Sequence, residues 1–144
     1  MINIKEIVNF LQNVTLFQGL KTNQKERLAH RFVERTYKPG EKIVTQGLGG
    51  EGFFIIVTGH ADAFRMKADG TDIKVNSFGP TEYFGELALL DDGPRTASVI
   101  ASETTRCLVL TRWDFLGLLK EDADMAIAIL EEVARRFRVV LDTM

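Results

Sequence analysis

The sequence predicts a mainly β domain with helices at both ends, and two distributions along the chain predict it. Most of the 12 glycines and all three prolines lie between Pro39 and Pro94, where they separate short segments rich in Val, Ile, Phe and Thr. The stretch from Asp122 to Leu141 contains neither residue, which is typical of a long helix. We therefore expect the middle of the chain to form an antiparallel roll or sandwich of short strands.

Two short helices are predicted before residue 33. The first has four apolar residues at the i, i+3, i+4 and i+7 spacing of one helix face: Ile4, Ile7, Val8 and Leu11. The second is expected to begin with Thr22 or Asn23 as its N-cap and to carry Glu26 in its first turn. These helices would occupy residues 1–32.

Turn residues divide residues 33–111 into strands. The tetrapeptide 38–41, Lys-Pro-Gly-Glu, has proline and glycine where a tight turn needs them. Asp69-Gly70 lies between the strand-like segments Ala61–Met66 and Asp72–Phe78 and indicates a hairpin. Gly59 ends the apolar run that begins at Phe53 in the same way.

The C-terminal helices are predicted over residues 113–141. A short helix covers Trp113–Leu119, with Trp113 as a packing anchor, and a long one begins at Asp122 or Asp124. The long helix carries an apolar stripe of four residues: Ala126, Leu130, Val133 and Phe137. We expect that stripe to pack on the strands or on a partner helix.

Composition limits the classes of protein that this chain can be. Its 144 residues and 16.2 kDa fit one domain, residues 1–144, and 45% hydrophobic residues suffice for a core. The net charge of -2 shows no basic excess, so we expect no nucleic-acid partner. Cys107 is the single cysteine, no signal peptide is readable, and the apolar run Phe53–Val57 is too short to span a bilayer. A cytoplasmic location is expected.

One segment, residues 84–99, has the composition of an anion site. Gly85 allows close backbone approach, and Glu86–Leu90 favours a helical turn whose first N–H groups face outward. Arg95, after Pro94, can add a charged fork to the same anion. Glu86 would repel an anion but can accept from neighbouring hydroxyls. An anion beside a hydroxyl describes a sugar phosphate.

Residues 84–97, which we term the cassette, resemble the phosphate-binding cassette of cyclic-nucleotide-binding domains. The chain has Phe-Gly-Glu-Leu-Ala-Leu at 84–89 and Pro-Arg-Thr-Ala at 94–97, with the family's spacing. Three further segments are similar to the family's entry segment, first hairpin and core strand: residues 14–20, 37–47 and 53–59. The loop 48–51 and the small residues Ala61 and Ala63 depart from it. The resemblance implies an eight-stranded antiparallel β-roll with N-terminal helices and a C-terminal helix pair.

The resemblance also implies ligand contacts, at Gly85, Glu86, Leu87, Ala88, Arg95, Thr96 and Ala97. Arg95 would pair with the exocyclic phosphate oxygens, and Glu86 would accept from the ribose 2′-hydroxyl. Backbone N–H groups of Ala88 and Ala97, with Leu87, would complete the phosphate site. Thr96 could bond guanine in the syn conformer, but cAMP is the commoner ligand in the family and is the first choice here.

The function so implied is that of a non-enzymatic sensor without a cofactor. Phosphate capture would move the cassette, and the apolar contact at Leu87 or Leu89 would let the helix after the roll shift. The C-terminal helix would then close over the base. Leu130, Val133 and Phe137 are the candidate lid, and Arg136 is a candidate polar contact.

Three other classes compete with this interpretation. A cyclic-nucleotide phosphodiesterase is disfavoured because His30, His60 and Cys107 form no motif with metal-ligand spacing, and no P-loop or hydrolase motif is present. A catabolite-activator-type regulator would need a helix-turn-helix, for which we expect no room after Leu141. An interaction domain that dimerises through its C-terminal helix, with little or no ligand binding, is the main alternative.

Overall fold

A computed structural model describes residues 2–49 and 52–144 of the chain. It contains eight strands and five α-helices in those residues, with one 3-10 turn at Thr15–Phe17. The strands are β1 Val33–Tyr37, β2 Lys42–Val44, β3 Gly52–Thr58, β4 Ala61–Met66, β5 Asp72–Phe78, β6 Tyr83–Phe84, β7 Ser98–Ala101 and β8 Thr105–Thr111. The helices are α1 Ile4–Leu11, α2 Thr22–Ala29, α3 Leu87–Leu90, α4 Arg112–Glu121 and α5 Ala123–Asp142.

The strands form two antiparallel sheets of four, in the orders β1-β8-β3-β6 and β2-β7-β4-β5. The predicted fold class, an eight-stranded roll with flanking helices, is therefore confirmed. The predicted hairpin is present with its expected boundaries, because β4 and β5 pair across the Asp69-Gly70 turn. Gly70 takes the left-handed conformation, φ +87°, that this turn requires.

The core of the roll lies between its two sheets. Strand β3 is buried from Gly52 to Ile56, as expected of a strand covered on both faces. The rings of Phe54 and Phe84 stack with their centroids 5.0 Å apart, next to Phe78. Burial raises the pKa of the Cys107 thiol on β8 to about 12, so this cysteine serves as an apolar packing residue at neutral pH.

Helices α1, α2 and α5 and most of α4 form a second compact unit, made of the residues up to Arg31 and from Asp114 onward. Within it the rings of Phe17 and Phe115 lie 6.2 Å apart. The long helix was predicted to begin at Asp122 or Asp124, and Asp122 is the N-cap of α5. Its side chain accepts from the Met125 N–H at 3.0 Å. That bond, assisted by Arg27, lowers the pKa of the Asp122 carboxyl.

Four details of the helix predictions are wrong. Trp113, predicted as a packing anchor, is 84% exposed, and Glu26 does not lie in the first turn of α2. Helix α2 has Lys21 as its N-cap rather than Thr22 or Asn23, because the Gln24 side chain satisfies the Lys21 N–H at 2.9 Å. The stripe from Ala126 to Phe137 is not the buried face of α5, since Leu130 is 68% and Phe137 61% exposed. The buried face is instead Met125, Ile129 and Glu132, which also has the i, i+4, i+7 spacing of a helix face.

Candidate functional site

Gly85 sets the geometry at the start of the cassette, between β6 and α3. Its φ of +86° favours glycine, and a Cβ at this position would lie 2.5 Å from the Gly52 carbonyl oxygen and 2.6 Å from Arg95 Nη1. Both distances are far shorter than van der Waals contact. The absence of a side chain at Gly85 therefore makes the space in which Arg95 meets the backbone of β3.

Arg95 is held by its backbone and by its side chain. Its N–H donates to the Leu48 carbonyl at 2.9 Å, and its carbonyl accepts from the Gly47 N–H at 2.9 Å. Its Nη2 donates to the Gly52 carbonyl at 2.6 Å. The two backbone bonds hold the segment at Arg95, and the bond from Nη2 orients the guanidinium at the wall of the roll, so less of its freedom is lost when an anion binds.

Helix α3 is a single turn anchored by one side chain. Leu89 is fully buried, whereas Leu87 is exposed. Glu86 stands at the N-cap position of α3 and makes no side-chain cap bond. The Ala88 N–H, a predicted phosphate contact, donates to the Gly85 carbonyl at 3.0 Å in this structure. A ligand would have to share or replace that bond.

A partly open cavity of about 620 Å³ lies in the roll, and the cassette forms one side of it. All seven residues that the sequence predicted as ligand contacts line this one cavity: Gly85, Glu86, Leu87, Ala88, Arg95, Thr96 and Ala97. The apolar wall is made of Val44, Ala63, Phe78, Phe84 and Val99. The volume and the mixture of apolar wall and few polar groups are those of small-molecule sites.

Three polar contributors to this region were not predicted from the sequence. Gly52 supplies the carbonyl that orients Arg95, and Arg65 and Asn76 line the cavity from β4 and β5. Strand alternation could have found Arg65, because Ala61, Ala63 and Arg65 are spaced by two and share one face of β4. The contact between Gly52 and Arg95 has no comparable signal, since the two residues are 43 positions apart.

The cavity can hold both an anion and a hydroxyl-bearing group. Arg65 and Arg95 supply cationic donors, while Glu86 and Asp91 supply carboxylate acceptors. In the described part of the chain, no group of three His, Cys, Asp or Glu side chains could hold a metal ion. No helix in residues 2–49 and 52–144 has the length and apolarity needed to cross a bilayer. The volume of the cavity and the charges that line it are compatible with a small molecule that carries both an anionic group and hydroxyls.

The sequence of the chain places it in a known protein family. The pattern of the cyclic nucleotide-binding domain matches residues 34–122, and this chain belongs to that family. The matched span includes all of the cassette.

Two curated relatives and one solved structure show the breadth of the family. The chain is 35% identical over 123 residues to the cyclic AMP receptor protein of Thermus thermophilus, covering 85% of this chain and 57% of that one. It is 37% identical over 110 residues to the cAMP-dependent protein kinase regulatory subunit of Aspergillus niger, covering 76% and 26%. The N-terminal domain of a transcriptional regulator from Streptomyces coelicolor superposes with a TM-score of 0.85 at 32% identity, covering 94% and 96%.

These relatives are named as receptors or as regulatory proteins. The chain spans 57% or less of the length of these two curated relatives. The family assignment therefore describes a cyclic-nucleotide-binding regulatory domain, and the output of any larger protein is a separate question.

Proposed function

We propose that this chain is a non-enzymatic sensor that binds a cyclic nucleotide monophosphate, with cAMP as the first ligand. One observation carries the proposal: Arg95, Glu86 and the start of α3 converge on a single cavity of ligand size. A cyclic nucleotide has one anionic phosphate and one free ribose hydroxyl, which match these two side chains. Two relatives whose names include cAMP support the choice of ligand.

In the proposed complex, Arg95 pairs with the exocyclic phosphate oxygens. Backbone N–H groups of Leu87, Ala88 and Ala97 complete the phosphate site, and Gly85 lets the phosphate approach the backbone. The Ala88 N–H then shares its present bond to the Gly85 carbonyl, as a three-centre bond allows. Titration calorimetry with cAMP tests this proposal, and a folded chain that gives no binding heat would overturn it.

Thr96 has a limited influence on the choice of base. It lines the cavity and follows Arg95 in the chain, and in the proposed complex its hydroxyl would meet the amino group of a syn guanine. A neutral hydrogen bond is worth about 0.5–1.5 kcal/mol net, which is roughly two- to tenfold in affinity. The chain is therefore expected to bind both nucleotides, with cAMP at least comparable to cGMP.

Glu86 gives a direct test of the ribose contact. Wild-type chain should bind 2′-deoxy-cAMP more weakly than cAMP, by about 1.5–3 kcal/mol because the lost bond involves a charged acceptor. With Glu86→Ala the two ligands should bind with nearly equal affinity, and Glu86→Gln should fall between because an amide oxygen still accepts.

Calorimetric titration of both ligands against all three proteins completes a double-mutant cycle. If removing the 2′-hydroxyl costs the same affinity in wild type and in Glu86→Ala, the ribose contact belongs to another residue.

Ligand binding is proposed to bias the position of α5. The closed state must bind the nucleotide more tightly than the open state for this coupling to occur. The proposed lid residues are Leu130, Val133 and Phe137, with Arg136 as a polar contact to the base. We place the sensor in the cytoplasm, where Cys107 stays reduced.

Self-association is a second candidate function, and the exposed apolar residues of α5 favour it. Leu130 and Phe137 are mostly exposed, as are Val139, Val140 and Leu141 near the helix end. An exposed apolar surface of this kind often marks the site at which a partner protein binds. Sedimentation velocity should detect a dimer, and Phe137→Ser should shift it toward monomer. A monomeric wild-type chain over the micromolar range, with or without cAMP, would exclude homodimerisation through α5.

A further inference from the structure

Arg65 occupies an unusual place for an arginine, on the inward face of β4. Ala61 and Ala63 on that face are buried, and Arg65 follows them at the same spacing and lines the cavity. The pairing between β4 and β5 has one irregularity after Ala63. Ala63 pairs with Asn76 and Phe64 with Lys74, so Val75 on β5 is the extra residue. The alternation of β4 is therefore preserved up to Arg65.

Arg65 is attached to the cassette by one end of its guanidinium. Its Nε donates to the Thr96 carbonyl at 3.4 Å, a long bond that orients the group while leaving Nη1 and Nη2 to face other partners. Within residues 2–49 and 52–144, no carboxylate lies within ion-pair distance of it, whereas Arg27, Arg31, Arg106 and Arg135 each have one. Arg65 thus brings a cationic fork without a carboxylate partner to the cavity.

The two cavity arginines belong to different parts of the roll. Arg95 is bonded to Gly52 of β3 and faces Gly85, which follows β6, and both strands are in the sheet β1-β8-β3-β6. Arg65 is on β4 in the other sheet, where Val75 and Asn76 of β5 also line the cavity. A nucleotide with its phosphate on Arg95 and α3 would therefore extend its base along the β4–β5 wall.

We propose that Arg65 is a specificity-determining residue that contacts the base of the bound nucleotide, which rests on the proposed function above. A guanidinium only donates, so it selects an edge that only accepts. Guanine presents N7 and O6, both acceptors, whereas adenine presents N7 beside a donating amino group. Arg65 accordingly raises the affinity for cGMP above the value that the chain would have without it, while Asn76, which both donates and accepts, suits either base.

The test is the affinity of Arg65→Ala for both nucleotides. This variant should lose about fivefold in affinity for cGMP and change less than about twofold in affinity for cAMP. Fivefold is the lower end of the range for a two-bond arginine–guanine contact, and we expect the lower end because the Arg65 side chain is exposed. Arg65→Lys keeps the charge but not the fork, and should show the same pattern. Lys67→Ala is the matched control, because it removes a nearby positive charge from a residue that does not line the cavity.

The outcomes separate this inference from the proposed function. If wild type binds neither nucleotide, the proposed function fails and the role of Arg65 fails with it. If wild type binds and Arg65→Ala loses both nucleotides equally, Arg65 serves the phosphate or the cassette and the base contact is wrong. Unchanged cGMP affinity in Arg65→Ala, or an equal cGMP loss in Lys67→Ala, would also overturn the inference.

Discussion

Replacing Arg95 with alanine should weaken cAMP binding by roughly ten- to a hundredfold or more. The substitution removes charged hydrogen bonds to the phosphate, which contribute about 1.5–3 kcal/mol. The bond from Nη2 to the Gly52 carbonyl is lost as well, so the backbone of β3 at the cavity wall also loses a donor. Calorimetric titration of the variant with cAMP and cGMP measures the effect, and both nucleotides should lose affinity in parallel because they share the phosphate.

Arg106→Ala is the matched control for that experiment. Arg106 lies on β8, pairs with Glu34 at the surface and does not line the cavity. Its removal should leave affinity unchanged and alter stability by no more than about 1 kcal/mol, as is usual for an exposed ion pair. Equal affinities of the Arg95→Ala variant and wild type would remove Arg95 from the phosphate site.

Gly85→Ala should be the most damaging single-methyl change in the cassette. A non-glycine residue with φ near +86° costs about 1–2 kcal/mol. The new Cβ would also lie 2.5 Å from the Gly52 carbonyl oxygen, a backbone atom that cannot move without shifting β3. Overpacking of this kind adds about 1–3 kcal/mol. We expect a large loss in the free energy of unfolding and weakened cAMP binding, because Arg95 Nη1 would be displaced too.

Gly70→Ala separates the energetic cost of a left-handed backbone conformation from the cost of a steric clash. Gly70 has φ +87°, almost the value at Gly85, but a Cβ there meets no atom within 4 Å. The Gly70→Ala variant should therefore lose only about 1–2 kcal/mol in the free energy of unfolding, from the backbone conformation alone, and should bind cAMP with normal affinity. Urea unfolding and calorimetry on both variants make the comparison. If the two variants are destabilised equally and both bind normally, the close approach around Gly85 has no energetic role.

Local signals explain why much of the fold and site could be predicted. The β4–β5 hairpin has an Asp-Gly turn between strand-forming segments, so its boundaries follow from adjacent residues. Residues 84–97 are contiguous, and a contiguous segment keeps its members close together in any fold. The seven predicted contacts therefore line one cavity. Their roles toward a ligand remain predictions.

Features that depend on distant partners could not be predicted. Helix α5 carries two apolar stripes, and only the packing of the helical unit decides that Met125 and Ile129 are buried while Leu130 is exposed. The Gly52 carbonyl is one of many equivalent backbone groups in the sequence, and pairing with Arg95 follows only from the sheet. Arg65 is exposed, as its charge predicts, and residue type alone does not show that it also lines the cavity.

Side-by-side calorimetric titration of the wild-type chain with cAMP, cGMP and 5′-AMP is the decisive experiment for cyclic-nucleotide binding. We expect one binding site for each cyclic nucleotide, with cAMP at least comparable to cGMP. Binding of 5′-AMP should be much weaker, because its open phosphate does not present the cyclic ester shape to Arg95 and α3. A folded chain that binds neither cyclic nucleotide, or that binds 5′-AMP as tightly as cAMP, would contradict the proposed function.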